Sequence, residues 1–409
     1  MKKLILIILF TCFFLFNASS QTWTQKASMY NYGRRSTFGC SLNGKGYTGL
    51  GVTENLLQLH DFWAYDTLSN VWTRMTDYPG QGLFENTSFA INGKLYVCLG
   101  VDNNSICQNE LWEYTPTEDS WLRMADFPGI ARYGARAFVI GDSAYVIAGS
   151  FGYGDNYLYD MYMYTPINNT WVRKADFPGG NRAFGTAFSI NDNGYFGAGI
   201  SNSYTPKNDF WKYDPRLNRW FPIQNFPGTP RNAPISFVIN NMGFVGFGGN
   251  PESTVYYTDF GIYDPSNDSW KQFSVPASIP KRTGCIGFSI GNSGYIGVGL
   301  NSTGVLTDLW SFVPELNPEP SNFNSTQNNI VQSPDLLLYP NPTSNFITVK
   351  STISKSVQLS ISDLNGKRVS ESQFDGHNTQ IDLSKFAPGI YVISIVGEQF
   401  NIVRKIIKD

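Results

Sequence analysis

Histidine is almost missing from these 409 residues, with only His60 and His377 present. A metal site built on imidazole ligands therefore lacks donors, and neither a metal nor a cofactor is expected. Charge is scarce as well. Lys, Arg, Asp and Glu make up 15% of the chain and nearly cancel, to −2, which gives no electrostatic reason to bind nucleic acid or an anionic membrane surface. Beyond Cys12 in the N-terminal apolar run, Cys40, Cys98, Cys107 and Cys285 form no Cys-x-x-Cys pair, so no zinc or dithiol motif is indicated. A Cys98–Cys107 bridge is conceivable in an exported chain, although a large core does not require one. HExxH, CxxCH and phosphate-loop patterns are also absent, so a standard metal or nucleophile mechanism is not indicated. Long hydrophobic runs are lacking too. The longest, Leu4–Phe16, falls short of the roughly 20 residues of a spanning helix. It follows Lys2 and Lys3 and precedes small residues, the pattern of a secretory leader spanning residues 1–20.

What is abundant is aromatic: Phe, Trp and Tyr make up 15%, a composition suited to half-buried strands. They recur in register. Tyr65/Trp72, Tyr114/Trp121, Tyr164/Trp171, Tyr213/Trp220 and Tyr263/Trp270 share one spacing, each Tyr preceded by an acidic residue four positions earlier. Those residues are Asp61, Glu110, Asp160, Asp209 and Asp259, and Asp308 adds a sixth, at intervals of 49 or 50. A second ladder ends in Gly51, Gly100, Gly149, Gly199, Gly248 and Gly299. Such a period implies one supersecondary unit repeated six times, which points to an all-β fold, a six-bladed β-propeller. Each repeat reads as four antiparallel strands, a to d; in the fourth these are Gly185–Asn191, Gly194–Gly199, Asp209–Asp214 and Arg219–Ile223.

The glycine after strand b together with the Tyr-to-Trp spacing resembles the kelch repeat, over residues 21–312. One departure stands out: the first glycine of the kelch Gly-Gly doublet is Leu50, Leu99, Ala148, Ala198, Phe247 or Val298. The sixth repeat lacks its last strand. Thr22–Lys26 carries that pattern at the other end of the chain, so residues 21–27 are expected to close the last blade and remove two sheet edges.

Residues 313–334, rich in Pro, Asn, Ser and Gln, read as a linker. Residues 335–409 then alternate as the strands of a small C-terminal β-sandwich. Tyr339-Pro340-Asn341-Pro342, Ser362–Lys367, Ala387–Tyr391 and the terminal Lys405–Lys408 resemble the sorting domain of the type IX secretion system. That resemblance implies export across both membranes, recognition by the type IX machinery, and a secreted or outer-membrane surface location.

Ligand candidates lie outside the repeated landmarks. The b–c loops vary in sequence, as a binding face does. Six positions ahead of a fixed point in strand a stand Arg34, Arg132, Arg182, Arg231 and Arg282, with Leu83 in the second repeat. On the innermost strand, five guanidinium groups would ring the mouth of the central channel and suit an acidic ligand; alternatively they bond loop carbonyls and tie blades together. Glu85, beside the Leu83 gap, is the carboxylate placed to act as a general base or to serve as a salt-bridge partner. Tyr153, Tyr204 and Tyr257 head a set of loop aromatics that can stack on sugars. The expected function is a monomeric protein- or glycan-binding module at the cell surface or outside the cell. The alternatives are a metal-independent enzyme on an acidic sugar, similar to kelch-type sialic acid mutarotases, and a structural surface component.

Overall fold

The structure is a computed structural model. It describes residues 22–314 apart from 30–31, 153, 155, 251–253 and 274, and residues 336–408 apart from 340–342, 352–356, 364–367, 375–376 and 397–400. The expected leader at 1–20 and most of the expected linker lie outside the described residues. The chain divides into two compact units, Met1–Asn317 and Pro318–Asp409.

In the first unit the period becomes six four-stranded antiparallel sheets. The fourth is typical: Thr186–Ile190, Asn193–Gly197, Phe210–Asp214 and Arg219–Ile223 pair in chain order. The innermost strands pack against one another in sequence, and Ile286–Ile290 of the last sheet packs against Phe38–Leu42 of the first. The circle is thereby closed. In the last sheet Thr22–Lys26 supplies the outer strand, with Trp23 opposite Phe312 and Lys26 opposite Leu309. The Trp23 and Phe312 rings stack at 4.6 Å.

The aromatic landmarks form the core between sheets. Phe188 of strand a stacks on Tyr195 of strand b at 5.1 Å, and Tyr195 meets Tyr263 of the next sheet at 5.6 Å. Phe138, Tyr145 and Tyr213 repeat the arrangement, as do Phe89, Tyr96 and Tyr164. Such pairs add attraction beyond the area they bury.

Polar atoms at the rim lock neighbouring sheets. Asn169, in the c–d turn at φ 50°, accepts hydrogen bonds from Tyr164 Oη (2.9 Å) and from the amide of Ala125 in the preceding sheet (2.8 Å). Trp171 Nε1 then donates to the Ala125 carbonyl at 2.9 Å. Asn70, Asp119, Asn218 and Asp268 occupy the same left-handed turn position and accept the same two donors. The Tyr-to-Trp spacing is therefore a clamp: Tyr and Trp flank a turn whose side chain grips the previous blade.

The second unit is a sandwich of two antiparallel sheets. Leu336–Tyr339, Phe346–Ser351 and His377–Asp382 form one; Arg368–Phe374, Val357–Asp363, Gly389–Val396 and Asn401–Lys408 form the other. Ile347, Val349, Leu359, Ile361, Ile393 and Ile395 are fully buried within it. Three of these strands, Leu336–Tyr339, Arg368–Phe374 and His377–Asp382, escape the sequence pattern because polar residues dominate the last two.

Two measurements test this frame. Asn169→Ala leaves two donors without their acceptor and lowers urea-unfolding stability by about 1–3 kcal/mol, while Asn169→Asp, the residue found at 119 and 268, retains most of it. Deleting residues 22–26 exposes two sheet edges and lowers Tm by several degrees; an unchanged Tm would show that the strand does not close the ring.

Candidate functional site

The d–a connections lead into the innermost strands and carry the five arginines. Each guanidinium is 0–1% exposed, and each is held by the acidic residue that opens strand c of its own sheet. Arg34 Nη1 and Nη2 donate to Asp61 Oδ1 and Oδ2 at 2.6 and 2.7 Å. Arg132 does the same to Asp160 (2.5 and 2.9 Å), Arg182 to Asp209 (2.8 and 3.0 Å) and Arg282 to Asp308 (2.6 and 2.6 Å). Arg231 Nη2 reaches Asp259 Oδ2 at 2.6 Å. These arginines do not ring the channel mouth as the sequence suggested. Burial would leave an unpaired charge at high cost, and the repeat supplies a carboxylate for each.

A third partner is the residue that replaces the first glycine of the doublet. Arg34 Nη1 also donates to the carbonyl of Leu50 at 3.1 Å, and Arg132, Arg182, Arg231 and Arg282 do so to Ala148, Ala198, Phe247 and Val298 at 2.9–3.0 Å. These residues all have φ between 49° and 62°, which costs a side-chain-bearing residue about 1–2 kcal/mol. The apolar side chains are buried, so packing and the arginine bond offset the strain. The glycine that follows is obligatory: a Cβ on Gly199, at φ +81°, would stand 2.4 Å from the Ala183 carbonyl oxygen.

The second sheet departs from this scheme. Leu83 occupies the arginine position, 2% exposed, and Glu110 turns instead to Arg123 at 3.0 Å, while keeping the bond from the Trp two residues on, Trp112 Nε1 at 3.0 Å. Next to this gap the channel acquires its charged groups.

Two residues beyond each arginine position lie Ser36, Glu85, Gly134, Phe184, Ala233 and Gly284, all at φ 48–64°. Their backbones join hand to hand. Ser36 N donates to Gly284 O, Glu85 N to Ser36 O, Gly134 N to Glu85 O, Phe184 N to Gly134 O and Ala233 N to Phe184 O, all at 2.8–2.9 Å. This girdle runs around the axis, and its only trace in the sequence is the small residue at four of the six positions: Ser36, Gly134, Ala233 and Gly284. Beneath it is a channel cavity of about 140 Å³ lined by residues at and just before strand a, including Thr87, Arg136, Thr186 and Ser236. Above it is a vestibule of about 260 Å³ walled by Phe84, Tyr133 and Phe184 and bordered by Arg35 and Asn232. Ser36, Glu85, Ala233 and Gly284 line both.

Glu85 stands at this junction, its Oε2 3.7 Å from Arg136 Nη2. Burial pushes the Arg136 guanidinium below its ordinary value, and the Glu85 charge opposes that shift. Arg136 is the residue that sequence reasoning missed: it lies four positions after Arg132, where the other strands carry Phe, Thr or Ile.

The loop tyrosines divide. Tyr204 is 44% exposed and meets the buried Tyr157 edge-on at 6.3 Å. Tyr257 is partly buried, with its ring 4.6 Å from the Arg231 guanidinium carbon, whose other neighbour is Phe226 at 4.7 Å. It braces an arginine and is not a free stacking platform. Tyr153 lies outside the described residues. Three b–c loops fold into small hairpins of their own, such as Ile200–Ser201 against Thr205–Pro206.

Two possible nucleophiles are inert. Gly287-Phe288-Ser289-Ile290-Gly291 matches GxSxG, but Ser289 lies within strand Ile286–Ile290 and donates to the Val238 carbonyl at 2.8 Å, where a nucleophile elbow requires a sharp strand-to-helix turn. Cys98 and Cys107 are free thiols and do not form the conceivable bridge; burial pushes the Cys98 thiol well up, away from thiolate chemistry.

The Arg34–Asp61 pair makes a testable claim. Burial works against the Asp61 carboxylate, but the Arg34 hydrogen bond and charge outweigh it and hold the carboxyl below its usual range. Its stabilising contribution is thus complete above about pH 4 and disappears as the pH falls through the lowered folded value. Arg34→Leu strands a buried carboxylate and costs about 3–5 kcal/mol at neutral pH. In urea unfolding the gap between wild type and variant narrows as the pH falls, first through the raised value of the stranded carboxyl in the variant and then below about pH 4, where the wild type loses its pair.

Comparison with known proteins accords with this geometry. Residues 85–299 match the KLHDC2/KLHL20/DRC7 Kelch-repeats domain, and residues 337–409 match the secretion system C-terminal sorting domain. Among curated proteins there is no match. A solved structure described as "Structure of YjhT" superposes with a TM-score of 0.60 at 18% identity, covering 69% of this chain and 96% of that one, a likeness of fold alone. The sorting domain implies export and engagement of the type IX secretion machinery. With the kelch match spanning more than half of its length, the chain belongs to the kelch-repeat proteins and carries a secretion sorting domain behind its propeller.

Proposed function

We propose that this protein is an exported binding module whose ligand, a protein or a glycan, meets the face formed by the b–c loops and the channel mouth. In this reading residues 1–20 are the leader, 313–334 the linker and 335–409 the export address, and the propeller acts at the cell surface or beyond it.

One observation carries the proposal: the polar groups that repeat are consumed internally, whereas the b–c loops, which do not repeat, present apolar and aromatic groups to solvent. The arginines, their aspartates and the turn Asn and Asp residues are bonded within or between sheets. The b–c loops instead expose Leu56, Leu57, Ile106, Tyr159, Tyr204 and Val255. Large apolar and aromatic groups held on a rigid scaffold, in loops of unrelated sequence, suit recognition rather than folding.

A second reading rests on Glu85 and Arg136. A carboxylate facing a cation in an enclosed channel can move a proton on an acidic sugar without a metal, the chemistry of a sialic acid mutarotase-like enzyme.

The full chain, applied to glycan and extracellular-protein arrays, is expected to bind a defined ligand, with Tyr204→Ala or Leu57→Ala weakening that binding at least about tenfold, the effect of losing one well-packed contact. Binding indifferent to both substitutions would overturn the loop-face assignment. Anomerisation of sialic acid followed by NMR decides the second reading: a rate equal to that in buffer removes it.

A further inference from the structure

We infer that the vestibule above the girdle binds the sulfate ester of a sugar, with Arg35 as the residue that grips the sulfate. The inference rests on the glycan branch of the binding-module reading and gives it a place and a ligand chemistry.

Three successive repeats put Asn232, Thr283 and Arg35 at one position, the residue after Arg231, Arg282 and Arg34, and all three line the vestibule. Phe84, Tyr133 and Phe184 make the rest of its wall. The vestibule is thus two-sided, polar over the fifth, sixth and first sheets and aromatic over the second, third and fourth. Its charge is one-sided as well. Arg136 offsets Glu85 at 3.7 Å, whereas the half-buried Arg35 guanidinium has no hydrogen bond, ion pair or ring contact among the described residues. Partial burial takes water from a cation without returning a partner. Every other arginine of the d–a loops and of the innermost strands has a carboxylate.

The girdle opens on the polar side. Ser36, Glu85, Gly134, Phe184 and Ala233 each donate a backbone N–H to a neighbouring member, but among the described residues no backbone hydrogen bond joins Gly284 N to Ala233 O. Gly284 lies beside Arg35: a Cβ built on it would stand 3.5 Å from the Arg35 Cβ. An uncommitted amide donor therefore sits at the vestibule floor close to the uncommitted guanidinium, and both are partners that oxyanions commonly take.

A sulfate ester suits these groups better than a carboxylate does. Its three non-ester oxygens fan out toward donors carried on separate sheets, where a carboxylate offers two oxygens in one plane. It also stays ionised near Glu85, whereas a second carboxyl there is pushed toward its neutral form. The sugar ring then has the aromatic side for its apolar face, where the Tyr133 and Phe184 rings lie 5.8 Å apart. A cavity of ~150 Å³ admits a benzene ring in an engineered protein, so the vestibule, at about 260 Å³, takes one pyranose ring with its sulfate.

The test titrates the full chain by calorimetry with methyl galactopyranoside and methyl glucopyranoside monosulfates, their unsulfated parents and methyl glucuronide, using wild type, Arg35→Gln and Arg216→Gln. Arg216 is an exposed cation on a c–d turn and reports general charge attraction. At least one monosulfate is expected to bind, with its unsulfated parent and the glucuronide at least about tenfold weaker, and Arg35→Gln is expected to weaken that binding by about tenfold or more. The same variant melts at the wild-type temperature, because the guanidinium bonds nothing in the protein, and Arg216→Gln binds as wild type does. Four results overturn the inference: no monosulfate binds the wild type; the glucuronide binds as tightly as the best monosulfate; Arg35→Gln binds no more weakly than Arg216→Gln; or Arg35→Gln melts several degrees lower, which would show a structural partner. If the monosulfates fail while array binding still depends on Tyr204 or Leu57, the vestibule site falls and the binding-module reading stands. Monosulfate binding through Arg35 with array binding indifferent to Tyr204 and Leu57 keeps the site and removes the loop-face assignment.

Discussion

The propeller depends on a buried arginine whose charge is neutralised within its own sheet. In five of the six sheets one guanidinium joins three chain segments: the d–a loop that carries it, the left-handed residue after strand b, and the carboxylate opening strand c. Removing any one partner leaves a charge or a bent carbonyl unsatisfied away from water. The constraint therefore propagates. In those five sheets it ties the end of strand b, ahead of the glycine that follows, to the start of strand c, from which Tyr and Trp are counted. The aromatic clamp is the second tier, linking one sheet to the next once each sheet has its shape.

Legibility in the sequence follows from that hierarchy. The period, the strands of each blade and the closing segment at Thr22–Lys26 could be read because contacts repeated every 49 or 50 residues leave repeated letters. The arginines were visible for the same reason, and their recurrence made them look like a ligand ring. Their partners, the aspartates of strand c, recur just as faithfully, some 26–28 residues later. Matching the two ladders against each other would have paired them, since five buried cations demand five anions. Arg136 was hidden for the opposite reason. It has no counterpart in the other repeats, and what distinguishes it is its position around the axis, which no linear pattern displays.

The irregular second sheet is where those groups collect. With Leu83 in place of arginine, the sheet lacks its central cation, and Glu110 is free to bond Arg123 at the outside. Glu85 and Asn86 lie two and three residues after Leu83, and Arg136 faces Glu85 from the next sheet. A local break in the blade-building rule thus coincides with the polar end of the channel. Propellers are tolerant scaffolds because each sheet contacts only its neighbours, so one sheet can forgo its arginine while five keep theirs.

Closure also bears on export. The outer strand of the last sheet comes from Thr22–Lys26, so the chain leaves the propeller from Leu309–Val313, a strand paired on both sides. Cutting the chain beyond Val313 would leave every sheet of the propeller complete, which suits a tail that serves as an address. The same connection makes closure late: Trp23 cannot pair with Phe312 until nearly the whole propeller has been synthesised, and such long-range pairing is slow because the loop must close before any contact rewards it.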